Sequence, residues 1–249
     1  MDNATFRKNV FKTLSVKPAK LGLRNVAKNT NRTNIMHASI GIATEAMELV
    51  VGLGPYLLGS SKLTDTMKVN AFEEMGDLGY YLAVLAKSLK FKLPSSSKKV
   101  RLKGMTRSEA VLQLLEASSL IGDVAKKNFY GPVMKKRVIE RVLDIKDAKS
   151  GAVVSQETHS TEVDVVDPEA TDAQILKRDE RLRELLTEKF IPLYWALCYD
   201  MFEVPPANVF VGNIAKLAKR YGEGFFQLSE AEDRDTEAEM DEMTTAAAA

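Results

Sequence analysis

Apolar residues recur at three- and four-residue spacing through most of this chain, and period-two alternation is scarce, so the pattern predicts helices. Over 33–51, Ile35, Ala38, Ile42, Ala46 and Leu49 mark one helix face. Gly52-Leu53-Gly54-Pro55 breaks it, and 57–66 reads as a connector. A second helix is expected over 65–91, where Leu78, Tyr81, Leu82 and Leu85 keep the period. Thr106 with Glu109 forms a capping box that opens a helix to about 129. Gly131-Pro132 ends it, and a charged helix is expected over 133–149. Residues 151–171, rich in Ser, Thr, Glu and Asp, read as a mobile surface loop. A long helix over 171–202 carries Pro192, which can kink or split it. Pro205-Pro206 separates it from a helix over 208–221. Short helices are expected at 3–14 and from Ser229 onward, with basic, irregular chain at 17–31.

No convincing run of strands emerges, so the expected class is all-α, a helical bundle. The polar break Pro94-Ser95-Ser96-Ser97-Lys98-Lys99 divides the chain into 1–94, a second helical half over 95–228 and an acidic tail over 229–249. An internal echo lays 74–87 on 188–201, with Tyr80-Tyr81 over Tyr194-Trp195, and the helix at 106–129 on that at 33–51. In that alignment Asp77 falls on Ile191, and Ser119 and Gly122 stand where acids would. A degenerate duplication and a chance likeness both remain open.

Composition narrows the partners. With 35 basic and 34 acidic residues the formal charge is +1, which disfavours nucleic acid as an obligate partner. A single cysteine, Cys198, excludes an internal disulfide and suits a reducing compartment. The first residues lack an apolar run, so no signal peptide is expected. The uncharged stretch at 49–59 is too short to span a bilayer. The expectation is a soluble, cytoplasmic protein.

Candidate chemistry lies in two acidic pairs. Glu45 and Glu48 are three apart, as are Glu74 and Asp77, so on helices each pair shares a face. Such pairs arise by chance in a chain with 34 acids, and Glu230/Asp233 and Glu239/Glu242 sit among other charges. The pairs at 45/48 and 74/77 differ because apolar and small residues flank them: Ala43, Ala46, Met47, Leu49, Met75, Gly76 and Leu78. Two antiparallel helices can aim all four carboxylates at one point, where a cation would neutralise them. Oxygen-only donors favour Mg²⁺ or Mn²⁺. A di-iron centre would need Glu-x-x-His pairs, and neither His37 nor His159 stands three residues after a Glu.

These motifs also resemble a family. His37-Ala38-Ser39-Ile40-Gly41-Ile42-Ala43-Thr44-Glu45-Ala46-Met47-Glu48-Leu49 and Glu73-Glu74-Met75-Gly76-Asp77 with Tyr80-Tyr81-Leu82 resemble the two motifs of the MazG-like all-α nucleoside triphosphate pyrophosphohydrolases, related to dimeric dUTPases. Asn213-Ile214-Ala215-Lys216-Leu217-Ala218-Lys219-Arg220-Tyr221-Gly222-Glu223-Gly224-Phe225 and the run from Glu230 to Asp235 are similar to segments of phage and bacterial members. The long region at 95–205 departs from compact members. The resemblance implies hydrolysis of a nucleoside triphosphate between the α and β phosphates, giving a monophosphate and pyrophosphate. Glu45, Glu48, Glu74 and Asp77 would hold Mg²⁺, and Glu48 or Glu45 would take the proton of the attacking water. A homodimer or a dimer of dimers is implied as well.

Asn213, Lys216 and Arg220 form a polar stripe opposite Ile214, Leu217, Ala218 and Tyr221. That stripe reads either as a solvated basic face or, with the resemblance, as contacts to substrate phosphates and base. Lys68 and Asn70 precede the second acidic pair and can reach phosphates, while Tyr81 can meet a base. His37 reads as a satisfied bundle histidine. A helical sensor that binds Mg²⁺–nucleotide without turnover is the alternative function.

Overall fold

The computed structural model describes residues 30–94, 100–130, 134–146 and 153–221. The expected helices at 3–14 and beyond Ser229, the basic stretch up to residue 29, and the motif residues from Gly222 on lie outside that range. The described chain is mostly helical. Its helices are α1 (Thr30–Gly52), the short α2 (Gly54–Leu57), α3 (Asp65–Ser88), α4 (Arg107–Tyr130), α5 (Pro168–Glu184), α6 (Ile191–Phe202) and α7 (Pro206–Tyr221).

Local signals set the helix ends. Thr64 caps α3, its hydroxyl accepting from the Met67 amide at 3.2 Å. Thr106 and Glu109 complete the expected capping box: the Thr106 amide donates to Glu109 at 2.8 Å, and the Glu109 amide donates back to the Thr106 hydroxyl at 3.2 Å. Beyond α3, Lys90 takes a left-handed conformation while the Leu89 and Phe91 amides bond to the Leu85 and Ala86 carbonyls. Between α5 and α6 lies a π-helical turn, Leu185–Phe190, rather than a kink. Pro192 has no N–H for the residue 188 carbonyl and would crowd it, and the wider turn before it accommodates the ring.

Two expectations are corrected. Within the helix expected at 133–149, residues 134–146 form a strand, and within the loop expected at 151–171, residues 153–166 form another. Strand β1 (Met134–Lys146) pairs antiparallel with β2 (Val153–Val166) as a two-stranded ribbon, with Val138 opposite Glu162 and Lys136 opposite Asp164. The ribbon is exposed at Val138, Ile139 and Val153, and exposed apolar positions on adjacent residues give no period-two pattern to read. Its β-branched content was the only signal. One compact unit takes 1–129 with 179–249, and the ribbon belongs to the other, 130–178.

Within the larger unit, α1 and α3 run antiparallel. Gly41 lies against the phenol end of Tyr81 at one end of the interface, and Gly52 faces Asn70 at the other. Between these ends, Ile42, Ala46 and Leu49 of α1 and Met75, Leu78 and Leu82 of α3 are fully buried. By length and composition Asn31–Gly52 is apolar enough to cross a bilayer, but its apolar face is the one that builds this core. Helix α4 approaches α1 where Gly122 nears Ser39 and Ala43. The Arg107 guanidinium ties its first turn to the Asp200 carboxylate at the end of α6 and donates to the Asp200 carbonyl at 2.9 Å. Helices α6 and α7 cover the remaining side of α3 through Tyr194 and Phe210, whose rings stack at 6.1 Å between centroids.

Gly79 of α3 exists for that contact. A Cβ there would sit 2.5 Å from Phe210 and 2.6 Å from the Tyr194 hydroxyl, both parts of a buried aromatic stack that has no room to yield. Gly79→Ala gains about 1 kcal/mol of helix propensity and loses about 1–3 kcal/mol to overpacking. The expected outcome in urea unfolding is a net loss of stability of up to roughly 2 kcal/mol. A variant more stable than the parent would contradict this packing.

Candidate metal and nucleotide site

The antiparallel register of α1 and α3 stacks their polar positions in layers. Gly41 meets Tyr81 at the first layer and Gly52 meets Asn70 at the last. Glu45 and Glu48, four and seven residues beyond Gly41, share its face of α1, and Asp77 and Glu74 precede Tyr81 by four and seven on α3. The four acids therefore fall between the two glycine layers. Glu45, Glu48 and Glu74 each present a carboxylate oxygen within 4.8 Å of the others. Glu48 is exposed, whereas Glu45 and Glu74 are half-buried.

Three carboxyls this close cannot all ionise without a counter-charge. Burial, then the nearby Asp77 and Glu45 charges, push the Glu74 carboxyl up to about 9. Burial, then Asp77 and Glu48, push Glu45 up to about 7. The two side chains are hydrogen-bonded to each other, with Glu74 keeping the proton and Glu45 accepting it. This donor set is all oxygen, anionic and partly desolvated, which is the chemistry that a hard divalent cation such as Mg²⁺ or Mn²⁺ requires. Among the described residues no His or Cys joins the group.

Asp77 stands apart from that trio. Its Oδ1 accepts from the Asn213 amide at 2.6 Å and its Oδ2 accepts from the Lys216 ammonium at 2.5 Å. Lys216 also donates to Glu73 at 3.3 Å and is 1% exposed. The expected polar stripe of α7 thus faces inward at Asn213 and Lys216, together with Val209, Phe210 and Leu217, while Ala218 is exposed. Periodicity marks Asn213 and Lys216 as one polar stripe, but it cannot see that Asp77 and Glu73 meet them across an interface. The side chain of Arg220 lies outside the described residues. Asn213 is fully buried, and its Oδ1 has no hydrogen-bond partner among the described residues.

A cleft of about 380 Å³ opens beside the trio, lined by Glu48, Leu49, Val51, Asn70, Glu73 and Glu74 among others. That volume falls in the range of small-molecule sites, roughly 300–1,000 Å³. Asn70 lines this cleft. Lys68 is instead engaged at the surface by Asp65 at 3.1 Å. Tyr81 lies at the far end of the carboxylate layers from Gly52 and Asn70. It packs on Gly41, edge-on to Tyr80 at 5.2 Å and against His37 at 5.6 Å. His37 is exposed on α1 rather than enclosed in the bundle, and the partial burial of its imidazole lowers its pKa from the ordinary value. Two contributors escaped the sequence reading. Glu73 had no role of its own in the motif yet meets Lys216, and nothing in the pattern could show that Tyr194 donates to the Met75 carbonyl at 2.6 Å.

No family model, curated protein or solved structure matches the chain. The site's reading therefore rests on its own geometry and on the motif resemblance.

The proton shared by Glu74 and Glu45 has a thermodynamic consequence. Both folded values, about 9 and about 7, lie above the ordinary 4.5, so the folded chain binds more protons than the unfolded one across that window. Stability from these two groups is full at acid pH and is lost as pH rises through about 7 and then about 9. In chelator, Tm should fall by several degrees between about pH 5 and pH 9, and Glu74→Gln should flatten the slope. A Tm that is level or rising over that window in the parent protein would contradict the shared proton.

Proposed function

We propose that the chain is a Mg²⁺-dependent nucleoside triphosphate pyrophosphohydrolase of the MazG-like all-α type, converting a (deoxy)nucleoside triphosphate and water to the monophosphate and pyrophosphate. One observation carries the reading: Glu45, Glu48 and Glu74 converge from two antiparallel helices at the edge of a cleft of nucleoside size. The Glu-x-x-Glu and Glu-x-x-Asp motifs support it. The three glutamates would hold the cation, with Asp77 behind them.

When bound, Mg²⁺ supplies positive charge against the phosphate oxygens in place of the proton that Glu74 otherwise keeps. Glu48, the glutamate of the first pair that lines the cleft, would accept the proton of an attacking water. Leu49 and Val51 offer an apolar wall, and Asn70 offers an amide able to donate and accept at a base or sugar. Lys216 and Asn213 would hold the Asp77 carboxylate in a fixed orientation. In a cell such an activity controls nucleotide pools, and the cytoplasm is its proposed place.

A second reading, a Mg²⁺–nucleotide sensor without turnover, draws on Asp77, whose two oxygens are already engaged by Asn213 and Lys216. The experiment that separates the two presents each canonical dNTP and NTP with Mg²⁺ and follows phosphate and pyrophosphate by chromatography. The expected result is monophosphate plus pyrophosphate from at least one nucleotide. Glu48→Gln should reduce that turnover by about 100-fold or more while nucleotide binding persists. Tight binding without turnover in the parent protein would favour the sensor, and unchanged turnover in the variant would remove Glu48 from the mechanism.

We also propose a homodimer. Ile40, Met47 and Val51 are 51%, 50% and 70% exposed and recur at seven- and four-residue spacing along α1, an apolar stripe of the kind that associates. Light scattering on the eluted protein should return twice the 27.6 kDa of one chain, and Met47→Glu should shift it to the monomer. A parent protein that elutes at the mass of one chain would overturn the dimer.

A further inference from the structure

We propose that Tyr194 is a positioning residue for the carboxylate trio, fixing α3 through the backbone between Glu74 and Asp77. The inference rests on the cation-binding reading of that trio.

Tyr194 belongs to α6, more than a hundred residues from the acids, yet its hydroxyl donates to the Met75 carbonyl at 2.6 Å. Met75 stands between Glu74 and Asp77, so the hydroxyl bonds to the backbone at the turn that carries both acids. A helix carbonyl at this place already accepts from the amide four residues later, which is that of Gly79. The same glycine leaves the room for the phenol, since a Cβ there would lie 2.6 Å from the Tyr194 oxygen. Hydroxyl, carbonyl and glycine thus form one fitted joint. The residue cannot drift in it. Tyr194 is fully buried and its ring is stacked between Phe190 at 6.0 Å and Phe210 at 6.1 Å, with planes within 18° and 19°.

The consequence is geometric. Packing alone lets a helix rotate or slide slightly at little cost, because dispersion contacts are shallow and non-directional. A hydrogen bond from a locked aromatic residue to a backbone carbonyl removes that freedom at the turn it touches. Glu74 must meet Glu45 and Glu48 from the opposite helix, so a small rotation of α3 separates the donor oxygens. A further constraint from the same side comes from Asn213 and Lys216, which hold Asp77. Helices α6 and α7 therefore secure the acidic turn of α3 from behind, one through its backbone and the other through its second acid.

The test is Mn²⁺ binding by the full-length protein, followed by the loss of the free-ion electron paramagnetic resonance signal at a temperature well below each variant's Tm. Tyr194→Phe keeps the ring and removes the donor; Trp195→Phe loosens the neighbouring aromatic packing and keeps the hydroxyl. Tyr194→Phe should weaken Mn²⁺ affinity by about threefold to tenfold, the worth of one hydrogen bond. Trp195→Phe should lower Tm and leave the affinity within twofold of the parent, about the scatter of such titrations. Equal Mn²⁺ affinity in the parent and Tyr194→Phe overturns the positioning role and leaves the cation site standing. Equal weakening in the two variants also overturns it, since general loosening would then suffice. A parent protein that binds no Mn²⁺ fails the cation reading itself and takes the positioning role with it.

Discussion

Everything in the larger unit answers to one constraint: carboxylates held together between α1 and α3, partly out of water. A buried anion without a partner costs several kcal/mol, and this interface gathers four acids. Two local solutions are visible. Glu74 keeps a proton and donates it to Glu45, so that pair carries less charge than its composition suggests. Asp77 is matched by Lys216, an almost fully buried lysine that Glu73 also holds. Removing either partner would leave an uncompensated charge in a place that packing has closed.

Small residues make the arrangement possible. Gly41 gives the Tyr81 ring a place on α1, Gly76 admits Asn213, and Gly79 admits Tyr194 and Phe210. Each glycine sits where another helix's side chain must come close, which costs helix propensity and brings α3 into contact on two sides. One side is α1 with its glutamates. The other is the aromatic and basic face of α6 and α7. The region that looked like a separate second half is thus the back wall of the site, and its Tyr194, Asn213 and Lys216 reach the turn that bears Glu74 and Asp77.

What was legible in the sequence follows from what periodicity measures. The α1 and α3 faces were legible because Ile35, Ile42, Leu49 and Leu78, Leu82, Leu85 are buried at helical spacing. The capping box at Thr106 was legible because it is local in sequence. The acidic trio could be anticipated because carboxylates among small apolar residues demand an explanation. The burial of Lys216 and Asn213 was not legible because polar residues default to solvent, and only a partner on another helix reverses that. The ribbon of β1 and β2 was missed because Val138 and Ile139 are adjacent and both exposed, which breaks the alternation that marks a strand, while its many charges resemble a solvated helix. The position of Tyr194 against Met75 is a contact across 119 residues that no local pattern encodes.

The central claim is that Glu45, Glu48 and Glu74 form one cation site between α1 and α3. Crystals grown with Mn²⁺ and measured for its anomalous scattering test it most directly. The account predicts one peak among those three carboxylates, with the Glu74 proton displaced and Lys216 still on Asp77. A peak elsewhere on the chain, or none at Mn²⁺ concentrations far above those of a cell, would contradict it.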